Sequence, residues 1–419
     1  MKSIRIILVA IMASTSIFQT GLHAQDSLDI KIGQMLLIGF PGTSVDAEVL
    51  EEVRAGKVGS IIIFEKNIPP ANSFVALKKI IWTYQEAATI PLFVSIDQEG
   101  GKVNRLKDKY GFPRSITAAA MGKAPTLDSV RFYADATAST LAGLGINMNF
   151  GPVVDLASNP NNPIIAKHGR AFSANEDSVS LLAKEFIKQH HKYNVLTSLK
   201  HFPGHGSSKD DTHLGIADVT NTWEERELIP YKNLIDSGYV DAVMTSHIVN
   251  KKLDKQGHPG TLSASVLDGI LRKQLKFNGV IFTDDMQMHA ITKHYGLEDA
   301  IKLAILGGVD IMTFSNNIQG SDQRTVDKVH SIVKDLVKRG VITEQRIDES
   351  FKRIMKLKER LNQNDQSVYY QQALERSNRE LEEAKRELQA LNEKPAQVIE
   401  QVTEPQEPTK KKRKRKSKN

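Results

Sequence analysis

The chain has 419 residues, 40% of them apolar and 25% charged, a balance that fits a globular protein and excludes a fibrous or wholly disordered one. It has no cysteine, which excludes a disulfide framework, a thiolate metal site and a lipidated cysteine. The formal charge of +7 is concentrated: eight basic residues lie between Lys410 and Lys418, and without these and Lys2 and Arg5 the remainder carries about −3.

The first residues read as an address. Met1-Lys2-Ser3-Ile4-Arg5 is a short basic start, Ile6 to Ile17 is an apolar run, and Leu22-His23-Ala24 ends on a small residue. This order predicts a secretory signal peptide over residues 1–24, cleaved after Ala24, and a mature protein in the periplasm or outside the cell. The run is short for a bilayer span, so a retained anchor is the weaker reading.

From Leu28 to Leu361 short apolar runs alternate with longer helical ones. The strand candidates are Gln34–Phe40, Val58–Phe64, Pro91–Asp97, Ile146–Asp155, Leu196–Phe202, Ala242–Ile248, Gly279–Asp285 and Val309–Phe314. Eight strands with helices between them predict an α/β fold, a TIM-type (β/α)8 barrel over residues 28–361. Most runs are apolar throughout, as parallel strands buried on both faces should be. A doubly wound open sheet is the alternative, but Gly39-Phe40-Pro41-Gly42 lacks the glycine-rich dinucleotide turn.

Polar residues gather where a barrel keeps its chemistry. Asp97, Asp155, Lys200-His201, Ser246-His247 and Asp284-Asp285 all fall at C-terminal strand ends. Asp97 runs into Gln98-Glu99-Gly100-Gly101-Lys102-Val103-Asn104-Arg105, which suits a close-fitting polar ligand. Arg170 closes a Pro- and Asn-rich loop, Asn159 to Phe172, long enough to reach over a barrel mouth. The densest block runs from Lys200-His201-Phe202-Pro203-Gly204-His205-Gly206 to Asp211-Thr212-His213. With no apolar residue between Pro203 and His213 apart from glycine, this loop is no core element, and its histidines read as working groups. Strand alternation turns only one of the adjacent Asp284 and Asp285 toward the barrel axis. An inward carboxylate opposite a histidine loop suggests a nucleophile facing a general acid.

After Leu361 the composition changes. Leu374, Leu381 and Leu388 repeat every seven residues within a segment, 367–394, that has neither Gly nor Pro. This predicts a C-terminal helix, either a marginal coiled coil giving weak self-association or a solvated single helix laced with Glu–Arg pairs. Residues 395–419 read as a disordered Lys/Arg-rich tail, with Lys410 to Lys418 suited to an anionic surface or polymer.

The Ile96-to-Gly101 strand end, the Lys200-to-Gly206 block with Asp211-Thr212-His213, and Thr283-Asp284 together resemble glycoside hydrolase family 3. The likeness is to its compact, single-domain β-N-acetylglucosaminidases (the NagZ type), and it covers roughly Leu28 to Leu361. The resemblance implies an exo-acting, retaining β-N-acetylhexosaminidase that needs no cofactor or metal. Its substrate would be a small carbohydrate, an N-acetylglucosaminide from peptidoglycan fragments. It implies Asp284 as the nucleophile forming a glycosyl-enzyme, His213 as general acid/base, and Asp211 as its orienting partner. Asp97, Arg105, Arg170, Lys200 and His201 match sugar-binding positions. An imidazole suits the double proton task because it titrates near neutrality. Three rivals stay open on the sequence alone: a β-glucosidase-like member, a metal-dependent barrel hydrolase using His201, His205, Asp211, His213 and Asp284, and a non-catalytic envelope-binding protein.

Overall fold

Eight parallel strands close on themselves, each short and apolar. In the computed structural model, which describes residues 27–212, 215–317, 325–362 and 385–386, they are β1 (Leu36–Gly39), β2 (Ser60–Ile63), β3 (Phe93–Ile96), β4 (Met148–Asn149), β5 (Leu196–Phe202), β6 (Ala242–Thr245), β7 (Val280–Asp285) and β8 (Ile311–Phe314). Each pairs with its sequence neighbour, and β8 pairs with β1 through Leu36–Met312, so no edge strand is left. The open-sheet alternative is thereby excluded. Phe93, Phe150 and Phe282 meet inside the barrel, the Phe93 and Phe150 ring centroids lying 6.3 and 5.3 Å from that of Phe282, and fill it as a core and not a pore.

One strand differs from expectation. The run Ile146–Asp155 forms a ladder only at Met148–Asn149. Pro152 has no N–H to give a neighbour, so the regular ladder stops, and the chain rejoins β5 through single contacts such as the isolated bridge of Val153 with Lys200. Asp155 therefore arrives at the mouth on irregular backbone. Beyond β6, Ile248–Val249 pairs in parallel with Ala217–Asp218 to make a small second sheet outside the barrel.

The helices take the outside because their apolar stripes face the strands. The helix Asp128–Leu144 buries Val130, Ala134, Ala138 and Leu141 and stops at Gly145, whose φ of 87° few other residues adopt. Asn175 opens Glu176–His191 by accepting the Ser178 N–H at 2.8 Å. The helix Glu344–Asn362 lies across the N-terminal end of the barrel. There Lys358 donates to Gln34 Oε1 (2.6 Å) and Gly59 O (2.8 Å), and Arg353 reaches Asp310 at 2.9 Å. By internal contacts the chain divides into residues 1–364 and 365–419. Of the second unit only Lys385 and Arg386 are described, and both are helical. The predicted leader, most of the heptad segment and the basic tail lie outside the described residues.

Candidate active site

The C-terminal end of the barrel is built from two strand irregularities. Between Leu199 and Phe202, β5 spends three steps where β6 spends two, from Val243 to Thr245. Such a bulge breaks strict alternation, and Lys200 and His201, adjacent in sequence, both join one network at the mouth. A second bulge falls where Phe282 to Asp285 on β7 faces Ile311 to Thr313 on β8. The two bulges coincide with the blocks that carry the polar residues.

The loop after β3 turns sharply back. Gly100 and Gly101 have φ of 96° and 62°, and a Cβ on Gly100 would sit 2.2 Å from the Ile116 carbonyl oxygen. The Val103 carbonyl accepts the Glu99 and Gly100 N–H groups, and Gln98 Oε1 accepts those of Arg105 and Leu106 at 3.0 Å. Arg105 is thus folded back so that its guanidinium meets Asp97 at 3.3 Å and lies over the Phe64 ring. The Asn-rich loop is held by Asn162, whose side chain accepts from Ile164 and Ile165 N–H and donates to His205 O and Gly206 O. That fold delivers Arg170 to the mouth.

One chain of charge-assisted bonds joins the predicted binding residues. Lys200 Nζ lies 2.7 Å from both Asp97 Oδ1 and Glu99 Oε1. Arg170 grips Glu99 with two bonds, from Nε at 2.7 Å and from Nη2 at 2.8 Å, and the same Nη2 lies 3.2 Å from His201 Nε2. His201 Nδ1 is 2.6 Å from Asp155 Oδ2, while Asp155 Oδ1 accepts the His201 and His205 N–H groups. The structure brings Asp97, Arg105, Arg170, Lys200 and His201 together. Glu99 and Asp155, given no role by the sequence reading, are the hubs that connect them. A parity signal was there for Glu99, two residues beyond Asp97; Asp155 had its strand-end position.

Burial alone would push these carboxyls up. For Asp97 the Lys200 and Arg105 charges more than offset it, for Glu99 those of Arg170 and Lys200, and for Asp155 that of His201. All three are held below the ordinary carboxylate range and stay ionised. Burial would likewise lower Lys200, but Asp97 and Glu99 raise it, so the ammonium persists although the residue is only 2% exposed. The result is an array of charged donors and acceptors held by one another, of a kind suited to vicinal hydroxyls.

β7 lies four strands round from β3, so Asp284 stands across the mouth from Asp97. The neighbouring Asp285 is turned to β8, where it accepts from Ser315 Oγ, Ser315 N–H and Gln287 N–H, and burial raises it to about 6. Asp284 is half-buried, and its Oδ1 accepts the Asp285 N–H at 2.8 Å. Of the rim pair Ser246-His247, His247 is fully buried between Thr261 Oγ1 and the Asp285 carbonyl, where it joins the ends of β6 and β7. On the long loop, Asp211 is half-buried and His213 lies outside the described residues. His205 is 1% exposed, and burial holds it near 4, neutral, in keeping with a loop-shaping residue. Glu227, wholly unforeseen, lies under this loop and accepts the Gly206 and Ser207 N–H groups. Among the described residues no three His, Asp or Glu side chains are grouped as a metal-ion site.

Residues 27–357 match the Glycosyl hydrolase family 3 N terminal domain. A Beta-hexosaminidase of Tolumonas auensis is 34% identical over 291 residues, 68% of this chain and 84% of the relative. Beta-hexosaminidase A of Pseudoalteromonas piscicida is 29% identical over 346 residues, 78% of this chain but 57% of the relative. Among solved structures, a glycoside hydrolase family 3 β-N-acetylglucosaminidase from Paenibacillus superposes with a TM-score of 0.74 at 33% identity. That match covers 80% of this chain and 62% of the other. The chain therefore spans about three fifths of the two longer proteins.

Proposed function

The chain belongs to glycosyl hydrolase family 3, and from that premise we propose that it is an exo-acting β-N-acetylhexosaminidase releasing terminal N-acetylglucosamine with retention of configuration. The observation that carries this reading is the ionised network from Asp97 through Lys200, Glu99 and Arg170 to His201 and Asp155, facing Asp284 across the barrel mouth. A sugar held by that network presents its anomeric carbon to Asp284, which attacks it and forms a glycosyl ester. His213, oriented by Asp211, protonates the departing oxygen and then draws a proton from the water that breaks the ester. Holding the base in one tautomer is the part Asp211 plays, as an aspartate does in hydrolytic triads.

The test is hydrolysis of an aryl N-acetyl-β-glucosaminide from pH ~5 to ~8, the range over which an imidazole acid/base changes state. A 2-acetamido-5-fluoro sugar should label Asp284 in a peptide map; labelling of Asp285 instead would move the nucleophile. Turnover that persists with a chelator supports the glycosidase reading over a metal-dependent hydrolase. Peptidoglycan fragments are the proposed natural substrate, and products compared with those from chitobiose decide it. Export by the leader completes the reading, checked by a mature N-terminus after Ala24. Retention at an anionic surface through Lys410–Lys418 predicts binding that weakens as salt rises.

A further inference from the structure

Glu227 is a buried acid that this catalytic scheme leaves without a task. It is 1% exposed and sits in the short helical turn Glu225–Leu228, more than ten residues past the loop that holds Asp211. Its two oxygens take different donors. Oε2 accepts the Gly206 N–H at 3.3 Å, and Oε1 accepts the Ser207 N–H at 3.0 Å and the Ser158 hydroxyl at 3.3 Å. Gly204 completes the fit: a Cβ there would lie 2.6 Å from Oε2. Burial, with Asp155 nearby, pushes the Glu227 carboxyl up to about 8 against the lowering by those two N–H groups. An apolar side chain would fill such a place at less cost, so the acid is there for the main chain it holds.

The surroundings show what is being held. The start of the loop is tied at His205 by Asp155, at His205 and Gly206 by Asn162, and at Gly206 and Ser207 by Glu227. Its far end is tied where Ala217–Asp218 pairs with Ile248–Val249. Between the ties, Lys209 and Asp210 are exposed, as is Ile216. The Trp223 indole N–H donates to the Pro203 carbonyl, so the segment carrying Glu227 folds directly back on the loop it grips. We infer that Glu227 is a positioning residue that fixes the base of the 204–216 loop and thereby sets the reach of the acid/base carried on it. The inference rests on the proposed function, since it matters only if that loop moves a proton.

The experiment uses the full chain and a series of aryl N-acetyl-β-glucosaminides, from 2,4-dinitrophenyl to phenyl, with kcat/KM reporting the first, glycosyl-transfer step. An ill-placed acid should harm poor leaving groups most. For Glu227→Ala we expect kcat/KM to fall about 100-fold or more with phenyl and less than about tenfold with dinitrophenyl. Inhibition by N-acetylglucosamine should stay within about twofold of wild type, because the sugar-binding network is untouched. Glu227→Gln keeps the shape but sets an NH2 against one of the two backbone N–H groups, and should show the same leaving-group slope in weaker form. An equal loss across the series, weakened product inhibition, or a Gln variant that is indistinguishable from wild type or unfolded would each overturn the positioning role. A wild type that hydrolyses none of the series would overturn the glycosidase reading itself, and this role with it.

Discussion

At the N-terminal end of the barrel Asp310 accepts the Ile281 N–H and the side chains of Arg272, Ser350 and Arg353. Asp241 there takes the Thr197 N–H, His191 and Arg360. At the C-terminal end Asp97 and Glu99 meet Lys200, Arg105 and Arg170 with no backbone donor between them. The two ends are built from the same residue types, buried to similar depth. They differ in what the charges hold. Below, acids bind strand starts and the helix Glu344–Asn362, and each bond closes the fold. Above, Asp97 and Glu99 bind side chains across loops and only Asp155 ties the network to backbone N–H groups, Arg105 Nε is buried with no partner, and Asp284 stays half-exposed. A buried ion pair by itself does not mark a site; the partner does.

That contrast can be broken most sharply at Asp284. Asp284→Asn should lower kcat at least about 10⁴-fold with little change in melting temperature, since the proposed mechanism gives this carboxylate the attack on the anomeric carbon. Asp310→Ala is its mirror at the other end. It strands Arg272 and Arg353 near buried backbone and should cost about 3–5 kcal/mol in denaturant unfolding, with activity per folded molecule kept. If Asp310→Ala instead abolished turnover in a folded enzyme, the division between the two ends would fail.

Glu99→Gln comes next, because it removes the carboxylate that Arg170 grips and one of the two that hold Lys200. It should weaken N-acetylglucosamine inhibition by about 10²-fold, in the range for truncating one partner of a buried charge pair, with a smaller loss in unfolding free energy than Asp310→Ala. The smallest effect tests the lower end by pH. Burial lowers the Lys358 ammonium from 10.5 to about 7, with no carboxylate bonded to it. Between those values the unfolded chain holds a proton the folded one has released. Stability should therefore rise with pH across that window, by at most about 1.4 kcal/mol per unit from this group. Lys358→Met should remove that rise and be at least as stable near neutrality; an unchanged pH slope would mean the lysine stays charged in the fold.

Much of this was legible in the chain. All eight strand candidates contain the observed strands, because a buried parallel strand writes itself as a local apolar run. The strand-end residues Asp97, Lys200, His201 and Asp284 were equally plain, since a charge after such a run has nowhere to go but the rim. The fourth strand was read too long because the apolar residues of Phe150–Val154 are buried but meet their neighbours only through isolated bonds, not a continuous ladder. Glu227 carried no signal at all: in Glu224-Glu225-Arg226-Glu227 it looks like any solvated charge.

The sequence by itself determined the eight-strand frame, the end of it that carries polar residues, and the family resemblance of the motif blocks. Only the tertiary structure decided the partners. Arg170 meets Glu99 across 71 positions and Lys200 meets Asp97 across 103. Periodicity is a property of neighbouring residues, so it survives in one dimension. A carboxylate's role depends on which cation, N–H or open space lies within about 3 Å of it, and loops folded from distant parts of the chain set that distance.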